Sequence, residues 1–230
     1  MSKMKPMPSR RRRALRNCLI ALLAIALYSS VSFYALTPLN AVEYAKDRSG
    51  LYDPTEVVSV QWVPEMHRVH RLYLVENEHT VALSSAILRV LGWEGSFVWA
   101  VDCSKESPIH CGCVTMSHGG NNDGERVLFY YGRVNDPNIA RIELLEVHLK
   151  DSGIPPGETM EFENIVSTIE LPCEEWITKN GRVYFLEKSF PSDDVAIRRY
   201  VRGYDGEGNI VHQEYISNYA GVSWGLNVRA

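Results

Sequence analysis

The clearest pattern in the chain is an apolar run near its N-terminus that follows a cluster of arginines. Residues 10–13 and Arg16 are arginines, and the next 19 residues, from Cys18 to Leu36, carry no charge. As an α-helix this run would rise about 28 Å, close to the hydrocarbon thickness of a bilayer. Arginines remain on the cytoplasmic side, so the chain after Leu36 is predicted to lie outside. We therefore expect residues 1–14 to be a cytoplasmic basic tail and residues 15–36 a transmembrane helix.

A cleaved signal peptide is the alternative interpretation of the same run. Residues 18–28 have the length of a signal-peptide apolar core, and residues 30–32 form a small-residue cleavage pattern. Against cleavage, apolar residues continue as far as Leu36, and Pro38 lies where a helix would end. The pattern favours a retained single-pass anchor in the cell membrane. A secreted protein is the alternative.

Beyond residue 52 the pattern changes to short β-type segments separated by turns. Residues 69–76, 96–101 and 127–134 are typical of strands, whereas residues 81–91 fit either a helix or a strand. Asn180-Gly181 and residues 205–209 each predict a hairpin. The many short strands and regular turn signals predict a mainly β fold, an antiparallel sandwich-like domain with one or two short helices.

Two segments set the expected domain boundaries. Residues 37–52 are polar and are predicted to be a linker, so that the extracytoplasmic domain spans residues 53–230. Residues 102–125 are irregular and rich in glycine and cysteine, which predicts an exposed loop or a long hairpin tip. Two subdomains that meet near residues 102–126 are a further interpretation of that irregular segment.

Charge is divided unevenly along the chain. The net charge of −4 combines seven basic and no acidic side chains in residues 1–36 with 17 basic and 28 acidic side chains beyond them. An acidic outer domain is a poor nucleic-acid binder, because phosphate contacts need clustered lysine and arginine. The partners predicted are therefore the lipid bilayer, through the N-terminal helix, and an unknown envelope ligand or protein, with no nucleic acid.

Two turn-rich segments of the C-terminal half resemble a known group of proteins. Residues 131–139, Tyr-Gly-Arg-Val-Asn-Asp-Pro-Asn-Ile, and residues 203–210, Gly-Tyr-Asp-Gly-Glu-Gly-Asn-Ile, are similar to segments of Bacillus-type membrane-anchored or secreted extracytoplasmic β-domain proteins of unknown function. The resemblance covers about the last half of the chain and implies compartment and β architecture alone. The cysteine-rich insert between Cys103 and Cys113 departs from the pattern of that group.

Four cysteines lie beyond the apolar run: Cys103, Cys111, Cys113 and Cys173. An even number of cysteines in an oxidising compartment favours disulfides, although four free thiols are the alternative. Cys111 and Cys113 are too close in sequence to bridge each other comfortably. We expect at least one bridge from Cys103 to Cys111 or Cys113, with Cys173 taking the remaining cysteine.

The same insert offers a metal or catalytic interpretation. His110, Cys111, Cys113 and His118, with Cys103, supply soft ligands of the kind that zinc prefers, but the usual two-residue cysteine spacing is missing. Ser117, His118 and Asp123 are the residue types of a hydrolase triad, yet triads are set by three-dimensional geometry and not by sequence proximity. We therefore assign no catalytic residue, metal ligand or cofactor.

The C-terminal aromatic residues Tyr215, Tyr219 and Trp224 are the best candidate for a binding surface. With no catalytic motif, the predicted function is a membrane-tethered, non-catalytic extracytoplasmic β domain, an envelope-associated binding or accessory module. The alternative is an extracytoplasmic enzyme or metal-binding protein that uses the insert from Cys103 to His118.

Overall fold

A computed structural model describes residues 10–31, 34–64, 69–104, 106–117, 126–148, 165–190 and 197–216. This part of the chain contains two α-helices, α1 (Arg10–Val31) and α2 (Pro38–Arg48), and a 3-10 turn, Cys173–Glu175. Its strands are β1 (Tyr34–Ala35), β2 (Glu56–Trp62), β3 (His70–Glu76), β4 (Thr80–Arg89), β5 (Gly92–Asp102), β6 (Ile109–Ser117), β7 (Arg126–Val134), β8 (Arg141–His148), β9 (Ile165–Pro172), β10 (Ile177–Lys179), β11 (Arg182–Ser189), β12 (Ile197–Tyr204) and β13 (Ile210–Tyr215). The mainly β, antiparallel fold predicted from the sequence is confirmed.

The strands form three antiparallel sheets. Sheet I has the order β1-β5-β4-β3-β2, sheet II the order β10-β11-β7-β6, and sheet III the order β13-β12-β8-β9. Sheet I is a meander built from the first half of the chain, because β2 pairs with β3, β3 with β4, and β4 with β5. The chain passes from sheet I to sheet II through residues 103–108, near the start of the predicted subdomain boundary.

The sheets and α2 stack as four layers with sheet II buried on both faces. One apolar cluster joins sheet I to sheet II and includes Leu74, Leu83 and Phe129. A second joins sheet II to sheet III and includes Tyr130 and Leu144. Strand β7 contributes alternate residues to both clusters, so eight of its nine residues are buried. Its continuous apolar character follows from this position, because a strand covered on both faces needs no polar side.

Helix α2 is part of the domain, so the prediction that residues 37–52 form a linker was wrong. The Thr37 hydroxyl accepts a hydrogen bond from Asn40 N at 3.2 Å, and Pro38 occupies the first turn, where its missing N–H costs nothing. Ala41, Val42 and Ala45 face sheet I and are buried. The small alanines let α2 approach so closely that a Cβ on Gly95 would lie 1.9 Å from the Ala41 carbonyl oxygen.

Two further local predictions are settled by strand burial. Residues 81–91, which fitted either a helix or a strand, belong mainly to β4, whose residues 81–86 are buried on both faces. Residues 109–117 are strand β6 and not an exposed loop, because sheets I and III cover both of its faces.

The hairpins at Asn180-Gly181 and at residues 205–209 are confirmed, with φ of 52° and 73° at Asn180 and Gly181.

The part of helix α1 that follows its arginines is apolar and exposed. Its apolar residues from Leu19 to Leu27 have exposed fractions of 53 to 65%. The helix ends at Val31, earlier than the predicted span, because Tyr34 and Ala35 pair with β5 in sheet I. Within the residues that the structure describes, no helix has the length and apolar character needed to cross a membrane.

Candidate functional site

The cysteine insert is divided between two buried layers. Cys111 and Cys113 lie two residues apart on β6 and face sheet III, as expected for alternating side chains of a strand. Cys103, at the end of β5, lies in the cluster between sheets I and II. Sheet II therefore separates Cys103 from Cys113.

The predicted bridge from Cys103 to Cys111 or Cys113 is not formed, and all five cysteines are free thiols. The layer order gives the physical reason, since a bridge would have to pass through the plane of sheet II. Cys173 is exposed in the 3-10 turn that follows β9, and its amide donates to the Ala140 carbonyl. The structure thus brings Cys111 and Cys113 onto one face and leaves Cys103 on the other side of the sheet.

A buried ion pair lies beside Cys113. Arg199 on β12 and Glu146 on β8 are directly opposite in register, and Arg199 Nε donates to Glu146 Oε1 at 2.9 Å. Both side chains are less than a tenth exposed. The Arg199 guanidinium also hydrogen-bonds the Cys113 thiol, and its charge opposes the rise that burial causes in the pKa of Tyr130. This cluster joins sheets II and III through polar contacts inside an otherwise apolar layer.

The insert thiols are held in their protonated form. Burial raises the pKa of Cys113 to about 11, with Glu146 adding to the shift and Arg199 opposing it. Burial also raises the pKa of Cys103, and raises that of Cys111 well above its ordinary value. A nucleophilic cysteine needs a lowered pKa and access to a substrate, so these thiols have the character of structural residues.

Polar contacts also join sheets I and II. Arg133 on β7 donates to the carbonyl oxygens of Cys103 at 3.3 Å and Glu78 at 3.4 Å, and its Nε donates to Asn135 Oδ1 at 2.9 Å. Nearby, Arg182 pairs with the buried Glu76 at 2.9 Å. These contacts satisfy loop carbonyls and a buried carboxylate at the sheet junction, which is a structural role.

The structure describes only some of the residues on which the metal and triad interpretations depend. His110 is buried on β6, while His118 and Asp123 lie outside the described residues. Over the described ranges, no group of three or more histidine, cysteine or acidic side chains is arranged to hold a metal ion.

The predicted aromatic surface is also described only in part. Tyr215 ends β13, is about half exposed, and meets Tyr200 edge to face at 5.5 Å between ring centroids. Tyr219 and Trp224 lie outside the described residues. Tyr215 thus belongs to an aromatic pair on sheet III.

A different surface, at one end of sheet I, carries two tryptophans and an arginine. The Arg71 guanidinium carbon lies 4.4 Å from the ring centroid of Trp62 and 5.4 Å from that of Trp93. Trp62 ends β2 and is more than half exposed, whereas Trp93, near the start of β5, packs partly against the cluster under α2. Cation–π contact with both rings orients the guanidinium at this end of the sheet.

The same end of sheet I displays a group of exposed apolar side chains. The β4–β5 hairpin turns at Val90 and Leu91, which are 99% and 56% exposed. We call five of the exposed apolar residues at this end the apolar rim: Leu36, Trp62, Leu88, Val90 and Leu91. Sequence reasoning missed it, because residues 81–91 also fitted a helix. The signal available was an apolar pair, Val90-Leu91, directly before a glycine, where a hairpin normally carries polar residues.

Comparison with known proteins adds no family or relative. No family model, curated protein or solved structure matches this chain.

Proposed function

We propose that this protein is a membrane-tethered, non-catalytic extracytoplasmic β domain that serves as a binding or accessory module of the cell envelope. The observation that carries the proposal is helix α1, whose apolar side chains are exposed although the rest of the chain offers three sheets to pack against.

The apolar residues of α1 point in every direction around the helix axis. Successive helical residues are about 100° apart, so Leu19, Ile20, Leu22, Leu23 and Ile25 leave one gap around the axis, which the exposed Ala21 and Ala24 fill. A helix that is apolar all round is stable only where its surroundings are apolar, as in a bilayer. A surface helix of the domain would instead have one polar face.

The arginines at the start of α1 support the orientation. Residues 10–13 and Arg16 form its first two turns, and the acidic domain follows its C-terminal end. Positively charged flanks stay on the cytoplasmic side, so the domain is assigned to the outer side.

The helical part of the apolar run is short for a span. Residues 18–31 rise about 21 Å, whereas the hydrocarbon core is about 30 Å thick. A short span is accommodated by local thinning and by arginines that extend toward the head groups. In this arrangement the bilayer surface lies close to the first residues of sheet I.

The buried thiols argue against the enzyme alternative based on the cysteine insert. Cys103, Cys111 and Cys113 have raised pKa values and lie inside the layers that join the sheets. These residues stabilise the domain and are not placed to attack a substrate.

Membrane fractionation of the full-length chain tests the proposal. We expect it to stay with the membrane after alkaline extraction, and a variant with Leu19→Glu, Leu22→Glu and Leu23→Glu to be released. Val166→Glu with Val211→Glu is the matched control, because both valines are about half exposed on sheet III. Release of the unsubstituted chain would contradict the proposal. A mature protein whose measured mass places its N-terminus near residue 33 would contradict it as well.

A further inference from the structure

We propose that the apolar rim is a lipid-docking surface that rests on the bilayer interface beside α1 and holds the domain in a fixed orientation against the membrane. This inference rests on the proposed function, since it needs α1 in the bilayer. It adds a second contact between the protein and the lipid, made by the folded domain itself.

The first observation is the composition of the hairpin turn. Val90 is 99% exposed, and its neighbours Leu88 and Leu91 are 41% and 56% exposed. Neither Val90 nor Leu91 is required by turn geometry, because Gly92, with φ of 141°, provides the unusual backbone angle. Exposed apolar side chains grouped at one tip mark a surface that is covered by a partner.

The second observation is the position of the rim relative to α1. Only residues 32 and 33 separate α1 from β1, so the Cα atoms of Val31 and Tyr34 are at most about 11 Å apart. In β1, Tyr34 lies opposite Glu94 and Ala35 lies opposite Trp93, and the strand runs toward the hairpin tip. Leu36 therefore emerges beside the tip, and the rim adjoins the point at which α1 meets the domain.

The third observation is the chemistry of the residues behind the tip. Trp62 and Trp93 flank Arg71 on the face of sheet I that carries α2. Tryptophan is enriched at membrane–water interfaces, where its ring contacts acyl chains and its N–H stays hydrated. A guanidinium between two indoles can reach phosphate oxygens while its stem remains on apolar surface.

The short span of α1 connects these observations. An apolar helical run shorter than the hydrocarbon core draws the adjoining end of the domain toward the head groups. The domain beyond residue 36 carries an excess of acidic residues, so its net charge does not attract it to anionic lipid. Docking is therefore driven by the apolar rim, and we expect it to be no stronger on anionic than on zwitterionic vesicles.

Fluorescence quenching in vesicles tests the inference on the full chain. Cys18 and Cys173 are replaced by serine, and a fluorescent probe is attached at Val90→Cys or at Glu207→Cys. Glu207 is an exposed turn residue of the β12–β13 hairpin and serves as the matched control. Phosphatidylcholine vesicles carry a nitroxide near the top of the acyl chain, and iodide serves as the aqueous quencher.

We expect the lipid nitroxide to reduce the emission of the probe at position 90 and to leave the probe at position 207 unchanged, with the reverse result for iodide. If the chain floats with the vesicles but both probes are quenched equally by iodide, the docking inference is wrong while the anchor stands. A probe at position 90 that is shielded from both quenchers in proportion to protein concentration would identify a second copy as the occupant and overturn lipid docking. A chain that does not float with the vesicles overturns the anchor and the docking together.

Discussion

Arg199 and Glu146 form an ion pair inside the layer between sheets II and III, with Arg199 Nε 2.9 Å from Glu146 Oε1. The two residues are 53 positions apart in sequence and meet because β12 and β8 are neighbours in register. The pair also orders the polar groups around it, since Arg199 hydrogen-bonds the Cys113 thiol. Because both side chains are buried, removing either one leaves the charge of the other unpaired in the interior, which lowers the free energy of unfolding.

Arg199→Met is expected to lower the free energy of unfolding by about 3 to 5 kcal/mol, because it leaves the Glu146 carboxylate buried without its partner. The double variant Arg199→Met with Glu146→Leu removes both charges and should recover much of that loss. Urea unfolding followed by circular dichroism measures both values. The single variant Glu146→Leu completes the comparison. If the double variant loses as much free energy of unfolding as the two single variants lose together, the two residues are not coupled and the account of the pair is wrong.

The buried thiol of Cys113 predicts a loss of stability in alkaline solution. Its folded pKa, raised by burial to about 11, lies above the ordinary value of 9.0. Below pH 9 the thiol is protonated in both states, and its contribution is fully present. As the pH rises from 9 toward 11, the unfolded state loses the proton first, so the free energy of unfolding falls.

Cys113→Ser removes this titration and should make the decline between pH 9 and 10 less steep, measured by urea unfolding at each pH. The decline that remains comes from Cys103 and Cys111, whose pKa values burial also raises. The native protein should also react with a maleimide at Cys173, which is exposed, long before it reacts at Cys103 or Cys113. Equal alkylation of Cys113 and Cys173 in the folded state would be inconsistent with the buried position of β6.

His70 predicts a loss of stability in mild acid. Burial lowers its pKa from the usual 6.5, and within the described residues its Nε2 has no hydrogen-bond partner. The unfolded state therefore binds the proton first as the pH falls below 6.5, so the stability present at pH 7 declines. His70→Phe should reduce the decline between pH 7 and pH 5, whereas His79→Phe should not, because His79 is exposed. Identical acid sensitivity in all three proteins would refute the role of His70.

The contact between Gly95 and α2 tests whether residues 38–48 belong to the domain. A Cβ at position 95 would lie 1.9 Å from the Ala41 carbonyl oxygen and 2.9 Å from the Ala45 Cβ. Gly95→Ala should therefore lower the free energy of unfolding by about 1 to 3 kcal/mol, the usual cost of overpacking. Gly206→Ala is the control, since open space surrounds that position. If the two variants have the same free energy of unfolding, α2 does not pack against Gly95, and the prediction that residues 37–52 form a linker would be supported instead.

Features encoded by local chemistry could be predicted, and features created by the stacking of sheets could not. The Asn180-Gly181 hairpin follows from two residues that tolerate positive φ. Strand β4 was ambiguous because burial on both faces removes the alternation that identifies a strand. Helix α2 was missed because its four buried residues are two alanines, one valine and one lysine, which give only a weak apolar pattern.

The candidate sites show the same division. Cys111 and Cys113 share a face because of strand periodicity, but this follows only once residues 109–117 are known to be a strand, and the sequence predicts a loop or a hairpin tip there. The sequence does not reveal that sheet II separates them from Cys103, or that Arg199 approaches Cys113, since both depend on layer order and long-range register. The apolar rim likewise depends on β1 adding to the edge of sheet I at Trp93 and Glu94.

The most direct test of the central claim is the labelling of Cys173 in intact cells with a membrane-impermeant maleimide. Cys173 is exposed on the domain, and α1 is assigned to the membrane with the domain outside. The account predicts that full-length protein in the membrane fraction is labelled at Cys173 without cell lysis and that Cys173→Ser abolishes the label. Labelling of Cys173 only after the cells are lysed would place the domain inside and contradict the account.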